Sequence, residues 1–222
     1  MSAKVAIVTG GAGSLGRATA TNLASSGLTV VAIDRNEQAL HELPDGILQH
    51  VADATDPSAA KSAVDRIAAD VGPPDILVNT IGTFGLGDAV TTTPDELQLM
   101  VDVNLGPALW LSQAVAPHMQ RQGSGAIVHV SARPGLEPTS GMAAYSLSKA
   151  ALVHLTRILD LELRPHGIRV NAVAPQLLNT PANQGFPAEL LAHAVAPEAI
   201  AEVITFLVSD AAAPVSGAIL PA

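Results

Sequence analysis

The chain has no cysteine, which excludes disulfides, thiolate catalysis and cysteine–zinc sites. Aromatic residues make up only 2% of it, and basic residues are outnumbered by acidic ones, 11 to 20, for a formal charge of −9. Nucleic acid is held by basic patches and stacking rings, so both scarcities argue against it as a partner. Hydrophobic residues reach 48%, yet no uninterrupted apolar run is long enough to cross a bilayer, and no membrane partner is expected. None of the seven histidines stands in a metal-ligand spacing such as His-Glu-x-x-His, so no metal site is expected. His129 reads as packed in a strand, and His118, His154, His166 and His193 as helix-surface residues. The first candidate strand starts at Lys4, which leaves no room for a leader peptide and makes a cytoplasmic location the expectation.

What is present is a single tyrosine and only three lysines, one of which follows that tyrosine by four places in Tyr145-Ser146-Leu147-Ser148-Lys149. Residues four apart on a helix share one face. The ammonium would then favour the phenolate, lower the phenol's pKa and suit it to proton transfer. A helix-start tyrosine beside a solvated lysine would give the same pattern.

In chain order, Lys4 to Thr9 is a β-branched run that reads as a buried strand. It enters Gly10-Gly11-Ala12-Gly13-Ser14-Leu15-Gly16, after which Arg17 to Ser26 reads as a helix closed by Gly27. Strand, glycine turn and helix in that order suit a dinucleotide: glycines admit the pyrophosphate closely, and the helix N-terminus offers it free N–H groups. A second strand, Leu28 to Ile33, ends at Asp34, 18 residues after Gly16. An acid there accepts from both ribose hydroxyls and repels a 2′-phosphate, which favours NAD over NADP. Arg35 beside it could greet a 2′-phosphate, and Asp34 could instead cap a helix beginning at Asn36. Further strands are expected at Ile47–Ala52, Pro74–Asn79, Ser124–Ser131, Ile168–Ala174 and Gly217–Leu220. Helices should start at Asp56-Pro57 and Thr93-Pro94 and cover Leu105–Gln122, Ala143–His166 and Ala199–Ser209. This alternation describes one α/β domain over residues 1–222, a doubly wound parallel sheet of about seven strands covered by helices on both faces. The helices around 105–116 and 150–163 are apolar on more than one side, so a homo-oligomer, a homodimer or homotetramer built through them, is expected.

Taken together these residues resemble the short-chain dehydrogenase/reductase family over nearly the whole chain. The matches are Thr9-Gly10 through Gly16, Asp34, Asp53, Asn79 with Gly82, Asn104, Ser131, Tyr145 with Lys149, and Val170 to Pro175 with Thr180. The resemblance implies a Rossmann fold and NAD(P)-dependent hydride transfer to or from a small or medium carbonyl or alcohol. By it, Tyr145 is the acid/base, Lys149 lowers its pKa and holds the nicotinamide ribose, Asn104 anchors a water in a proton relay, and Ser131 stands near the substrate. The dinucleotide would meet Gly10, Gly13, Ser14, Leu15, Gly16, Asp34, Arg35, Asp53, Ala54, Asn79, Gly82, Tyr145, Lys149, Pro175 and Thr180.

The chain also departs from the family pattern. Ser14 replaces a usual glycine, and Gly10, Gly13 and Gly16 match the evenly spaced variant. The family serine is thirteen residues before the tyrosine, where this chain has Ala132, with Ser131 one place earlier. Within a strand one step turns a side chain to the other face. Ser131 therefore fills the role only if the strand has already ended; otherwise the chain resembles dihydropteridine- or quinone-type reductases, which lack that serine. A dinucleotide-binding protein without turnover is the alternative of another class. Asn79-Thr80-Ile81-Gly82 and Gln176 also differ from the pattern, and the short stretch after Thr180 suggests an open pocket. Phe84, Met142, Leu177, Leu178 and Phe186 could line it or could anchor loops.

Overall fold

The β-branched runs become seven parallel strands: β1 (Val5–Thr9), β2 (Thr29–Asp34), β3 (Leu48–Val51), β4 (Ile76–Asn79), β5 (Gly125–Val130), β6 (Ile168–Ala174) and β7 (Ile219–Pro221). They form one sheet in the order β3-β2-β1-β4-β5-β6-β7. This architecture comes from a computed structural model that describes residues 3–222. The helices are α1 (Ser14–Ser25), α2 (Glu37–Leu40), α3 (Pro57–Asp70), α4 (Pro94–Asn104), α5 (Gly106–Gln122), α6 (Ala143–Leu163), α7 (Ala188–Leu191) and α8 (Pro197–Val208). None among the described residues is long and apolar enough to cross a membrane.

The helix starts follow from their caps. The Asp56 carboxylate accepts from the amides of Ser58 and Ala59. Thr93 and Glu96 form a reciprocal capping box at α4. Pro107 has no N–H to give the carbonyl of Val103, and the long helical stretch breaks at Leu105 into α4 and α5. Gly167, left-handed at φ 75°, turns the chain out of the α6 segment into β6. Helix α1 begins at Ser14, three residues before the sequence suggests, because the last residues of the glycine turn already take helical geometry.

Alternate residues of the central strands feed two aliphatic cores. Ala6 and Val8 of β1 join the layer under α1 and α8, with Leu23, Val128, Ile200 and Ile204. Val5 and Ile7 join the layer under α3, α5 and α6, with Val64, Leu111, Ile127 and Leu159. No aromatic ring is buried in either core among the described residues. Arg169 on β6 donates to the carbonyls of Leu207, Ser209 and Val215, so it holds the end of α8. Asn171 beside it accepts from the amide of Ala218 and donates to Val215, which pins the approach to β7.

One polar group lies inside the second core. His129 of β5 is fully buried, with Nδ1 3.0 Å from Thr156 Oγ1 of α6 and Nε2 3.2 Å from Ser112 Oγ of α5. Thr156 already donates its proton to the carbonyl of Leu152. It must therefore accept from His129 Nδ1–H, which leaves Nε2 to accept from Ser112. Burial, helped by the Lys149 charge, pushes His129 down from 6.5 to about 4. Between those values the unfolded chain carries the extra proton, so stability falls as pH drops from 6.5 to about 4. The expected loss from this residue is on the order of 3 kcal/mol. Urea unfolding at both ends of that window should show a smaller acid loss in His129→Gln than in the native protein; equal losses would refute the assignment.

Candidate active site

The strand order reverses beside β1: the chain runs outward through β2 and β3, then returns to place β4 on the other side. Loops leaving β1 and β4 diverge there and open a crevice at the carboxyl edge of the sheet. The glycine turn lines one side. Gly13 N–H donates to the carbonyl of Gly10 (3.0 Å), and Gly11 N–H donates to Ile33 at the end of β2. A Cβ on Gly16 would sit 2.0 Å from that same Gly10 oxygen, so the close approach of α1 to the turn requires glycine. No side chain caps α1, and its first turn carries no acid. Ser14 and Leu15 thus begin a helix whose positive end is left to an anion.

Around this turn the expected nucleotide residues stand at successive strand ends. Asp34 closes β2 with Oδ2 on the Ala12 amide (3.2 Å) and Oδ1 on the Asn36 amide (3.0 Å). The cap of α2 is Asn36, which accepts from Ala39, and not Asp34. Arg35 is exposed and 3.9 Å from Asp53 Oδ2. Asp53 accepts from the hydroxyl and amide of Thr55, bonds that hold its carboxyl below the usual range, and Ala54 beside it is buried. Asn79 ends β4 with Oδ1 on Thr9 Oγ1 (2.6 Å), while its buried Nδ2 has no partner. After β6 the carbonyl of Pro175 accepts from the Arg133 amide, and Thr180 is buried at the start of a short 3-10 turn.

The second half of the site is built from α4, α6 and the loop after β4. Gly87 N–H donates to the carbonyl of Gly141, and Ala143 N–H donates to the carbonyl of Gly87, which ties that loop to the start of α6. Asn104, fully buried as α4 ends, accepts from the Thr83 amide (2.7 Å) and donates to Ser148 Oγ (3.0 Å). Ser148 in turn donates to the carbonyl of Tyr145 (2.7 Å). Lys149 is buried and donates to the Val130 carbonyl at the end of β5 (2.9 Å). A Cβ on Gly82 would come within 3.0 Å of Asn104 Oδ1 and 3.1 Å of Lys149 Nζ, so all three groups converge on one point. Over the Tyr145 ring lies Phe84, edge-on at 5.0 Å, with Phe186 5.6 Å beyond it.

The electrostatics differ from the sequence expectation. Enclosure pushes the Tyr145 phenol up to about 12, and burial pushes Lys149 down to about 8. No lowering of the phenol by its neighbour results, because the ammonium is directed to the Val130 carbonyl and its own charge is disfavoured by burial. Of the two, the amine loses its proton first as pH rises.

Ser131 is placed differently from its expected role. The ladder continues one residue past β5, through Ser131 N–H to Val173, so the side chains still alternate. Its hydroxyl donates to the backbone carbonyl of Lys149 (3.0 Å) and ties α6 to the sheet. Ala132, extended and buried, occupies the next position. Leu178 packs against the first core and pairs with Val195, so it anchors a loop; Met142 pairs with Gly87. Thr83 and Ser148, which hold Asn104, were missed. Ser148 carried a signal, since it lies three residues after Tyr145 on the same helix; Thr83 acts through its backbone and carried none.

The sequence profile of the family described as short chain dehydrogenase matches residues 4–190. A 3-oxoacyl-[acyl-carrier-protein] reductase FabG of Thermotoga maritima is 32% identical, covering 98% of this chain and 95% of its own. A cis-4-hydroxycyclohexanecarboxylate dehydrogenase of Sinomonas cyclohexanicum is 37% identical over 98% of this chain and 94% of its own. Among solved structures, an NAD+-bound xylitol dehydrogenase superimposes with a TM-score of 0.91 at 28% identity, covering 98% of this chain and 96% of that one.

Proposed function

The chain belongs to the short-chain dehydrogenase family, an oxidoreductase family using NAD or NADP, and from that premise we propose that it is an NAD(H)-dependent oxidoreductase acting on a carbonyl or alcohol, with Tyr145 as its acid/base. The observation that carries this reading is the convergence of Asn104, Lys149 and Gly82 one helical turn from the chain's only phenol, at the carboxyl edge of the sheet. All 222 residues serve as one dinucleotide-binding domain.

The residues present fit a dinucleotide. The Gly10–Gly16 approach leaves no room for a side chain, the α1 N-terminus lacks a cap, and Asn79 Nδ2 is a buried donor without an acceptor. Gly10, Gly13, Ser14, Leu15 and Gly16 would face the pyrophosphate, Asp34 the adenosine ribose, and Asp53 and Ala54 the adenine. Asn79, Gly82, Pro175 and Thr180 would frame the nicotinamide half, with Lys149 on its ribose. Asp34 already draws two backbone amides toward its carboxylate. That fixed negative charge disfavours a 2′-phosphate and supports NAD over NADP.

The nicotinamide, when bound, supplies or takes the hydride. Tyr145 Oη gives its proton to the developing alkoxide during reduction and receives the substrate's proton during oxidation. Lys149, pushed down to about 8 by burial, places an amine of adjustable charge one helical turn from that phenol. Asn104 is held on both sides by Thr83 and Ser148, as an anchor for a relay water must be. Ser131 contributes by fixing α6 against β5.

The test is to mix the purified protein with secondary alcohols or ketones and each dinucleotide, and to follow reduced nicotinamide. Turnover faster with NAD than with NADP supports the reading. Dinucleotide binding without turnover of any substrate refutes it in favour of a non-catalytic binding protein. Ala132, which brings no hydroxyl to the position the family gives to serine, favours a second reading, a quinone- or dihydropteridine-type reductase; reduction confined to quinonoid rings would select it.

The protein acts as a homo-oligomer. Leu147, Ile158 and Leu161 are exposed along one stripe of α6, and α5 lies beside it. Leu161→Glu is expected to shift the mass in light scattering toward the monomer at micromolar concentration. A native protein already monomeric there would rule the interface out.

A further inference from the structure

We propose that Phe84 and Phe186 form an aromatic wall beside Tyr145 that selects uncharged, ring-bearing carbonyl or alcohol substrates, an inference that rests on Tyr145 being the reacting acid/base. The chain has five aromatic residues in all. None is fully buried in the two cores among the described residues, although Trp110 packs, partly exposed, against the second. Three of the five nevertheless meet at the catalytic edge: Phe84 stands edge-on to Tyr145 at 5.0 Å and to Phe186 at 5.6 Å.

Phe84 and Phe186 come from loops far apart in the chain, after β4 and after β6. Phe84 keeps 40% of its surface exposed. A phenylalanine half in solvent, between a catalytic phenol and a second ring, has apolar surface that a substrate ring can cover. The loop carrying it is also fixed, since Asn104 grips the Thr83 amide just before it and Gly87 bonds to α6 just after it.

The same surroundings carry little charge. Apart from Lys149, which is buried and turned to the Val130 carbonyl, residues 76–87, 138–149 and 170–188 contain no Asp, Glu, Lys or Arg. On the connection between β5 and α6, Arg133 and Glu137 face each other at 3.4 Å. A substrate carboxylate brought against this wall would lose its hydration with no free cation to replace it, since Lys149 is turned to the Val130 carbonyl and Arg133 to Glu137, whereas an uncharged ring loses nothing.

The experiment compares kcat/KM for cyclohexanol, 2-butanol and 4-hydroxycyclohexanecarboxylate in the native protein, Phe186→Ala and Phe84→Leu. Phe186 meets the wall through its edge contact with Phe84, and leucine keeps apolar volume at 84. The native protein is expected to prefer cyclohexanol over each of the others by about 10-fold or more. In Phe186→Ala that preference over 2-butanol should fall at least about 5-fold. A native ring-to-chain ratio near unity, or a ratio unmoved in both variants, would overturn the wall. So would a better rate with the carboxylated ring, which would make Arg133, whose Nε has no acceptor, the anchor of an acidic substrate. Ligand-observed NMR with the same compounds and bound NAD reads selectivity without hydride transfer. Selective ring binding with no turnover would sink the reaction and support the wall, whereas turnover with unselective binding and rates would do the reverse.

Discussion

Replacing Tyr145 by phenylalanine is expected to lower kcat by about 10²–10⁴-fold, the usual worth of a positioned proton donor, while NADH affinity changes by less than about 3-fold. The substitution removes one oxygen and keeps the ring, so the edge contact with Phe84 survives. The Ser148 bond goes to the backbone carbonyl of residue 145, and the start of α6 is therefore undisturbed. Lys149 keeps its place too, because its donor bond runs to Val130 and not to the phenol. Only the hydroxyl proposed to exchange a proton with the substrate is lost. Stopped-flow or steady-state rates beside a fluorescence titration of NADH separate the two effects. A variant retaining turnover within about 10-fold of native would leave Tyr145 without the acid/base role.

Gly16→Ala should strike the other half of the site. Its Cβ would lie 2.0 Å from the Gly10 oxygen, 2.7 Å from the Gly10 carbonyl carbon and 2.8 Å from the Gly11 Cα. All three are backbone atoms, so no rotamer change relieves the overlap, and either α1 or the turn must move. Helix α1 is anchored in the first core through Leu15, Ala20 and Leu23; the turn yields. Overpacking of this kind costs about 1–3 kcal/mol. The displaced turn should weaken NADH binding by about 10–100-fold, since each 1.4 kcal/mol is tenfold. Gly185→Ala, whose Cβ would meet nothing within 4 Å, serves as the control. Equal effects from the two substitutions would show that the close approach is unimportant.

Much of this arrangement could be read from the chain alone, for reasons that can be stated. The β6 run, Ile168–Ala174, is bounded by a glycine and a proline and has the limits the sequence suggests. Asp56 and Thr93 cap helices as their spacing to proline implies. Residues at strand ends fall into place because every strand is parallel, which brings all carboxyl ends to one edge. Side-chain direction was less legible. Ser131 turns to α6 because the ladder runs one residue beyond β5, and Val173 supplies that bond from 42 residues away. The Ser112–His129–Thr156 group joins three elements no local pattern connects. The shift at Tyr145 reflects enclosure by Phe84 and its surroundings, and enclosure is a property of the folded chain. The single turn α7 has neither a side-chain cap nor a buried residue, and so gave no signal.

Both cores are built without a buried aromatic ring among the described residues, and the chain has few near-ultraviolet chromophores. Its one indole, Trp110, lies on α5 against the second core, away from the glycine turn. Its one phenol is the residue proposed to exchange the proton. The pH-dependent change in absorbance at the phenolate band therefore follows the ionisation of Tyr145 alone, without isotope labels, because the indole does not titrate.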